Sequence, residues 1–442
     1  SIVDNPESLP LAAAAGSTPS TPLACDYLIV TSEALEPSFV PLRDFYNRRG
    51  LKTRILTTED IDAWFRGRDL CEKVRTAIVH HYSDYGIEYV LLGGDVDVVP
   101  YRGFTCTVDS EGELQPDEEL PATVRIDNRI PSDIYFSNLD GDWNDDGDIL
   151  WGEPGEEDLY SEIAVGRACV STPGEAAIFV HKTTMYQDDP VANQLRRVLL
   201  LGENLTNEPM TWGADDLEQL IDTCQAHDYS TTGVPPDFDI TTYFDRDIYT
   251  WSGIDVVAPE VNTGAHWIFH VGHCNTSYGL RLGIAAVTVL AFTNDGESQN
   301  YPVINTIGCL LGSFELSDCI AERMVGIGSF ASAMVCNSRF GWFTPGSTNG
   351  VSHHYQREFV DAIFGDGVTR LGPAHARSKD DTAVYLTLPG YAEEGVMRWC
   401  FYCLNLLGDP AADTWTDIPA SIDAVHEGAM EISDATYMVS TG

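Results

Sequence analysis

Two apolar segments, AHWIFHVGH (265–273) and PVINTIGC (302–309), decide the fold. Each is a short run of β-branched and aromatic residues that ends in a glycine followed by a reactive side chain, His273 in the first and Cys309 in the second. Short apolar runs separated by amphipathic segments are typical of parallel strands covered by helices on both faces. We therefore predict an α/β fold in which these segments are neighbouring strands.

The same alternation of strand and helix patterns extends outward in both directions and restarts after the polar stretch 188–193. This restart predicts two side-by-side α/β units, each a mainly parallel sheet flanked by helices. The predicted strands are 26–32, 52–58, 88–95, 162–168, 196–203, 265–273, 302–309 and 328–338, and the predicted helices are 39–49, 70–83, 173–187, 212–227, 315–325, 352–364 and 396–407.

Four regions follow from this pattern and from composition. Residues 1–24, rich in Ala, Ser, Thr and Pro, are predicted to be a linker or the remnant of a propeptide. Residues 25–190 form the N-terminal α/β subdomain, and residues 191–416 form the second, which carries His273 and Cys309. Residues 417–442 are predicted to be a C-terminal tail or the start of a β domain.

The charge is strongly acidic, with a net value of −43 over 442 residues. Such a surface repels nucleic acid and anionic membranes, so we expect neither as a partner. It suits cation binding, cationic substrates, high salt or solubility alone, and the sequence leaves these alternatives open. No apolar run reaches the roughly 18–20 residues that a membrane-spanning helix needs.

Three candidate catalytic side chains, Glu203, His273 and Cys309, follow predicted strands of the second unit. Ligands of open parallel sheets bind beyond the carboxyl ends of the strands. A thiol nucleophile needs a base near it and N–H donors for the oxyanion. Gly272 and Gly308 are expected to let the chain turn tightly there. A Cys or His at a strand end also serves packing, and these residues alone leave that alternative open.

The segments IFHVGHCN (268–275) and INTIGCLLGSFE (304–315) resemble the His and Cys motifs of the gingipain family, peptidase family C25 of the caspase-like clan. The resemblance extends in order and spacing over residues 25–416, and it implies two caspase-like subdomains. The further matching segments are YVLLGGDVDVVP (89–100), SDIYFSNLDGDW (132–143), EIAVGRAC (162–169), SDCIAERMVGIGSFASAMVCNSRFGW (317–342) and LLGDPAADTW (406–415).

The resemblance implies a role for each residue of the constellation. Cys309 is the implied nucleophile, and His273 the acid that protonates the departing amine. Glu203 corresponds to the residue that orients the histidine, although a solvated loop acid is the alternative. The N–H groups of Cys274 and Cys309 are the implied oxyanion donors, and Cys274 departs from the family's usual glycine. His270 precedes His273 by three residues, so we predict that it points to the opposite face and is structural.

The resemblance also implies an S1 pocket for a basic side chain. Asp216 aligns best with the acid that binds arginine, and Asp215 is second. The alternative is that both acids serve only the electrostatics of a first helical turn. Trp342 resembles the aromatic wall of the pocket, with a structural tryptophan as the alternative. Val271 stands where a small polar residue is usual. Cleavage after Arg is expected first, and after Lys second.

The stretch DWNDDGDILWGE (142–153) fits the EF-hand loop template without a gap. Pro154 and Gly155 stand where an EF-hand has its exiting helix, so we predict a structural calcium loop in a non-helical setting, with a solvated acidic loop as the alternative. The predicted ligands are Asp142, Asn144, Asp146, the carbonyl of Asp148 and the bidentate carboxylate of Glu153.

Together these features predict a secreted or cell-surface cysteine endopeptidase, stabilised by calcium, that acts on protein or peptide substrates. A propeptide is a further expected partner. One rival is a sortase-like transpeptidase, in which an amine resolves the same acyl-enzyme. The other is a calcium-dependent adhesion or scaffold protein without activity, which the lost glycine at Cys274 motivates.

Overall fold

Short apolar strands form the centre of this protein. The computed structural model describes residues 24–109, 124–387, 394–419, 424–426 and 439–441. The predicted linker 1–24 therefore lies almost wholly outside the described residues, as does most of the predicted tail 417–442. The strands in the described part are β1 (Tyr27–Thr31), β2 (Thr53–Thr57), β3 (Tyr89–Gly93), β4 (Arg102–Asp109), β5 (Val124–Ser132), β6 (Ala164–Ala168), β7 (Arg197–Gly202), β8 (Asn204–Asn207), β9 (Met210–Trp212), β10 (Thr223–Ala226), β11 (Tyr229–Thr232), β12 (Asp239–Phe244), β13 (Trp267–Val271), β14 (Tyr278–Gly279), β15 (Leu282–Gly283), β16 (Val303–Thr306), β17 (Ala333–Asn337), β18 (Leu404–Leu407), β19 (Ala424–His426) and β20 (Val439–Thr441).

Ten of these strands make one sheet, in the order β12-β7-β13-β16-β17-β18-β6-β3-β1-β2. All neighbours are parallel except β17 and β18, which are antiparallel. The sheet thus consists of two parallel groups that run in opposite directions and meet at β18. The predicted α/β class, with two mainly parallel groups of strands flanked by helices, is confirmed.

Helices cover both faces of the sheet. Alternate residues of a central strand therefore lie in different apolar cores. Leu199 and Leu201 of β7 lie in one core, whereas Val198 and Leu200 lie in another. Burial on both faces explains why these strands are apolar without interruption. The helices are α1 (Glu36–Arg48), α2 (Thr58–Trp64), α3 (Leu70–Tyr85), α4 (Pro173–Asp188), α5 (Gly213–Glu218), α6 (Asp245–Ile248), α7 (Gly253–Asn262), α8 (Ile320–Gly326), α9 (Val351–Phe364), α10 (Leu371–Thr387) and α11 (Glu394–Cys403).

Three predicted helices were too long. The helix predicted over 315–325 begins only at Ile320. The helix predicted over 396–407 ends at Cys403, and Leu404–Leu407 instead form β18, the strand that joins the two groups. The helix predicted over 212–227 is reduced to α5, because the chain then forms the hairpin of β10 and β11. Its two-residue turn uses His227 and Asp228, both with positive φ. Within the described ranges, no helix is both long and apolar enough to cross a bilayer.

Candidate active site

The register of three parallel strands brings the candidate catalytic residues to one edge of the sheet. β13 lies between β7 and β16, with Val271 opposite Gly202 and His270 opposite Thr306. The carboxyl ends of the three strands are therefore level. Glu203, His273 and Cys309 follow these ends by one, two and three residues, respectively.

Cys309 and His273 line the same cleft at this edge. Its walls are mainly apolar, with few polar groups besides main-chain atoms, as is usual for ligand pockets. The lining residues are Leu205, Val271, Gly272, His273, Ile307, Cys309, Gly341, Trp342 and Phe343.

The Cys309 thiol is protonated in the free protein. Its Sγ–H donates to the carbonyl oxygen of Gly341 at 3.6 Å, and burial raises its pKa to about 11. The thiolate is the nucleophilic form. Attack on a carbonyl carbon therefore requires a base that removes the proton as the reaction proceeds.

His273 is held by the main chain. Its Nε2 lies 3.1 Å from the carbonyl oxygen of Leu205. A carbonyl only accepts hydrogen bonds, so Nε2 carries the proton, and in the neutral ring Nδ1 keeps its lone pair. Nδ1 is then the atom available to take the thiol proton and later return it.

The Glu203 carboxylate contacts His270 and not the expected partner, His273. The distance from Glu203 Oε1 to His270 Nε2 is 3.1 Å, and Arg281 Nε lies 3.5 Å from Glu203 Oε2. Burial opposes ionisation of Glu203, but the hydrogen bond with His270 and the charges around it lower its pKa overall. The prediction that Glu203 orients the catalytic histidine thus differs from these contacts, because the carbonyl of Leu205 holds His273.

His270 links Glu203 to the segment before the nucleophile. His270 Nδ1 lies 2.8 Å from Thr306 Oγ1, which in turn accepts from the N–H of Gly308 at 3.1 Å. A neutral His270 satisfies every member of this chain: Nε2–H donates to Glu203, and the hydroxyl of Thr306 donates to Nδ1. His270 is fully buried, and the prediction of a structural role fits these contacts.

Close packing, rather than turn geometry, explains the glycine before each of the two residues. Neither Gly272 nor Gly308 has a φ between +20° and +160°, contrary to the expectation of a tight turn. A Cβ at Gly272 would lie 2.5 Å from Glu203 Cδ and from His270 Nε2. A Cβ at Gly308 would lie 2.2 Å from the sulfur of Cys274, so Gly308 makes room for the side chain that replaces the usual glycine.

Asp216 lies on α5, which packs against β7 and β13. It is only 3% exposed, and burial, with the nearby charge of Asp215, raises its pKa to about 8. Gly213 of the same helix is in close contact with the main chain of Val271, a cleft residue, since a Cβ there would lie 2.4 Å from Val271 O. Asp215 is more exposed and pairs with Arg246.

Trp342 forms part of the cleft wall and meets Trp399 edge to face. Its main-chain N–H donates to the hydroxyl of Ser352, which fixes the backbone at this point. The buried indole N–H has no hydrogen-bond partner among the described residues. A buried donor without a partner at a cleft wall is available to a bound substrate.

Comparison with known proteins accounts for this arrangement. The family model of peptidase family C25 matches residues 20–415. This chain belongs to peptidase family C25. Its members are cysteine peptidases, so the chain is an enzyme of that class, which disfavours the inactive scaffold. A search of curated proteins finds no match.

Two solved structures share the fold of this C25 peptidase. The Arg-specific cysteine proteinase gingipain R superposes with a TM-score of 0.68 at 15% identity, over 96% of this chain and 86% of that one. A complex of the pro- and mature domains of RgpB from Porphyromonas gingivalis gives a TM-score of 0.65 at 15% identity, over 94% and 86% of the two chains.

The acidic loop of this C25 peptidase has the shape and donors of a cation site. Carboxylate oxygens of Asp146, Asp148 and Glu153 lie within 4.8 Å of one another. Gly147 has a φ of 74°, as the turn position of the loop template requires. Asn144 is 3% exposed, and its buried Oδ1 has no hydrogen-bond partner among the described residues. An unpartnered side-chain oxygen in the same loop as three clustered carboxylates fits a hard cation such as Ca²⁺.

The loop differs from the prediction in two details. Asp148 brings its side chain into the carboxylate cluster, while its carbonyl accepts from Asn144 Nδ2 at 3.1 Å. Asp142 is engaged with the N–H of Asn144 at 2.8 Å and lies outside the cluster of three. Turns, rather than a helix, follow the loop, as Pro154 and Gly155 predict.

One buried polar residue near the nucleophile was missed in the sequence. Asn337 ends β17, and its side-chain amide donates to the carbonyl oxygens of Ile307 and Gly308 at 3.0 and 3.3 Å. A polar residue directly after the apolar run of a parallel strand is the pattern that also singled out Glu203, so the same rule applied to β17 would have found it.

Proposed function

We propose that this protein is a secreted or cell-surface endopeptidase that cleaves after Arg, and less well after Lys, with Cys309 as nucleophile and His273 as proton carrier. The observation that carries the proposal is the shared cleft of Cys309 and His273 at the carboxyl edge of the sheet. The membership of peptidase family C25 supports the reaction class.

The chemistry follows from the two side chains. The Cys309 proton passes to His273 Nδ1 as Sγ bonds to the carbonyl carbon of the substrate, and the carbonyl electrons move onto the oxygen. The N–H groups of Cys274 and Cys309 would stabilise this oxyanion. Collapse of the intermediate breaks the C–N bond, and His273 protonates the departing amine. Water then hydrolyses the thioester and restores the thiol.

Asp216 supports the preference for a basic P1 residue. A carboxyl group that is buried and mostly protonated in the free enzyme gains most from a cation that replaces the lost water. The side chain of a P1 arginine would enter between Trp342 and Val271. Its guanidinium would pair bidentately with the Asp216 carboxylate. The acidic surface would also draw cationic segments towards the enzyme.

Calcium is proposed as a structural ion. Asp146, Asp148, Glu153 and the side-chain oxygen of Asn144 would hold it, and the ion would remove the repulsion among the carboxylates. Extracellular calcium modules bind the ion with a Kd of about 10⁻⁴–10⁻³ M, and we expect an affinity in this range for the loop. A propeptide is proposed as a partner, as in the pro- and mature-domain complex of RgpB.

Hydrolysis of fluorogenic peptides that vary only at P1 (Arg, Lys, Asn, Asp and Leu) tests the proposal. Turnover after Arg that disappears in Cys309→Ala is the expected result. Cys224→Ser is the matched control, because this part-buried thiol lies on the β10–β11 hairpin and is not among the cleft-lining residues. Turnover that survives in Cys309→Ala would refute the nucleophile. Product masses with an added amine distinguish hydrolysis from transpeptidation.

A further inference from the structure

The segment that carries the nucleophile is fixed through its main-chain groups. The N–H of Gly308 donates to Thr306 Oγ1, and the N–H of Ile307 donates to the carbonyl of His270 at 3.3 Å. The carbonyl oxygens of Ile307 and Gly308 both accept from Asn337 Nδ2. The peptide that joins Gly308 to Cys309 is thus held at its carbonyl end by one side chain.

The Gly308 carbonyl and the Cys309 N–H, the proposed oxyanion donor, belong to the same planar peptide group. In a trans peptide the C=O and the N–H point in opposite directions. The direction of the Gly308 carbonyl therefore determines the direction of the Cys309 N–H. We infer that Asn337 is a positioning residue that aims the Cys309 N–H at the oxyanion by holding the carbonyl of Gly308. The inference rests on the proposed function of Cys309.

The amide of Asn337 is itself held in one orientation. Asn337 is only 1% exposed, and its Oδ1 accepts from the thiol of Cys403 at 3.5 Å. The oxygen thus faces a donor while the nitrogen faces two acceptors, which fixes the amide without ambiguity. Gly341 closes the site from the other side, since a Cβ there would lie 2.9 Å from Asn337 Nδ2 and 2.0 Å from Ile307 O.

Asn337→Asp tests the role, because the carboxyl group keeps the shape of the amide but loses the NH2 that serves both carbonyls. An ionised carboxylate donates to neither carbonyl, and a protonated carboxyl has one O–H for the two. Asn294→Asp is the matched control. Asn294 is also 1% exposed, and its Nδ2 donates to two main-chain carbonyls, of Asn300 and Phe330, at 3.0 and 2.8 Å. The cleft lining includes none of these three residues. Asn337→Ser, which introduces no charge, carries the test if Asn337→Asp does not fold.

Three readouts separate aiming of the N–H from general damage. Loss of a whole oxyanion donor costs roughly 10²–10³-fold in kcat, which bounds the effect of misdirecting one. We expect kcat of Asn337→Asp to fall by about 10- to 100-fold with KM nearly unchanged, because the donor acts in the transition state. Affinity for a P1-Arg peptide aldehyde should fall in parallel, whereas affinity for the matching alcohol should stay. Alkylation of Cys309 by iodoacetamide forms no oxyanion and should keep its rate in Asn337→Ser, which adds no charge beside the thiol.

The outcomes are distinguishable. Equal loss of alkylation and turnover in the uncharged Asn337→Ser would overturn the inference, because the nucleophile itself would then have moved. So would an unchanged aldehyde affinity, or the same kinetic changes in Asn294→Asp. Absence of turnover in the wild-type enzyme would refute the proposed function and, with it, the reason for assigning Asn337 this role.

Discussion

Replacing Asp216 with Asn should separate specificity from catalysis. The substitution keeps the size of the side chain on α5 and removes its charge. Because the pKa of Asp216 is raised to about 8, only about a tenth of the free enzyme carries the carboxylate at pH 7. A guanidinium in the pocket would stabilise the ionised form, so binding of a P1 arginine should release a proton.

The size of the loss follows from burial. Leaving one partner of a buried ion pair without the other costs about 3–5 kcal/mol. Since about 1.4 kcal/mol corresponds to a tenfold change, kcat/KM for P1-Arg peptides should fall by about 10²- to 10⁴-fold in Asp216→Asn. Peptides with P1-Leu make no such pair, so their slow hydrolysis should change little.

The pH dependence of kcat/KM in the wild-type enzyme should also report the ionisation of Asp216. As Asp216 ionises, kcat/KM for P1-Arg peptides should rise about fivefold from pH 7 to pH 8 and level off above pH 9. Folding shows the opposite trend. The folded-state pKa lies above the ordinary value of 3.8, so ionisation of Asp216 destabilises the fold progressively from about pH 4 to pH 8. The full penalty is on the order of 5 kcal/mol.

The assay combines initial rates on both substrates with urea unfolding at pH 5 and pH 9. Asp216→Asn should lose P1-Arg activity and also lose the alkaline destabilisation. Asp215→Asn is the matched control, because this neighbouring acid is more exposed and paired with Arg246. Asp215→Asn should keep the preference for Arg. Because the charge of Asp215 raises the pKa of Asp216, the rise of kcat/KM with pH should occur at lower pH in this variant. Equal loss on Arg and Leu peptides in Asp216→Asn would refute the pocket assignment.

Four further predictions concern other parts of the molecule. The rate of alkylation of Cys309 by iodoacetamide should still rise from pH 8 to pH 9.5, because the thiol pKa is about 11, and a plateau near pH 8 would contradict a neutral thiol in the free enzyme. Calcium should raise Tm in the wild type and in Asp140→Asn, an exposed acid outside the cluster, but not in Asp146→Asn; calorimetry decides. Glu203→Gln should cost about 1–3 kcal/mol in urea unfolding at pH 7, and the cost should narrow as pH falls below 4.5, since the pKa of Glu203 is lowered in the fold. Raising NaCl from about 0.1 M to about 1 M shortens the Debye length from about 10 Å to about 3 Å and should raise Tm, because a net charge of −43 repels itself.

The sheet could be predicted from the sequence as far as its strands are apolar and isolated. β7, β13, β16 and β17 are short apolar runs between polar segments, and all lie within the predicted ranges. β18 was missed because its four residues continue the apolar pattern of α11 without a turn residue between them, and an apolar run of that length fits helix and strand equally. Its place in the sheet depends on long-range pairing with β17 and β6.

Side-chain partners in the site were harder to predict than positions. The ends of the strands placed Glu203 beside the two histidines, but the choice between them depends on rotamers and on the register that sets His270 opposite Thr306. The reason for Gly308 was also hidden, because it lies in the side chain of Cys274, which is distant in sequence. Such pairings exist only in the folded chain.

Burial keeps both side chains that we propose for catalysis and P1 recognition neutral in the free enzyme. It keeps the Cys309 thiol protonated and keeps Asp216 mostly protonated at neutral pH. A cationic P1 side chain favours the Asp216 carboxylate, whereas the Cys309 thiolate forms only when His273 takes its proton. A neutral P1 side chain would leave Asp216 protonated, and the substrate would gain no ion pair with it. The preference for Arg over neutral P1 residues would thus come from the pairing of a cation with the buried Asp216. Salt screens this buried pair far less than it screens the charges of the acidic surface. We therefore expect the preference for Arg over Leu to survive salt concentrations that abolish electrostatic attraction to the surface.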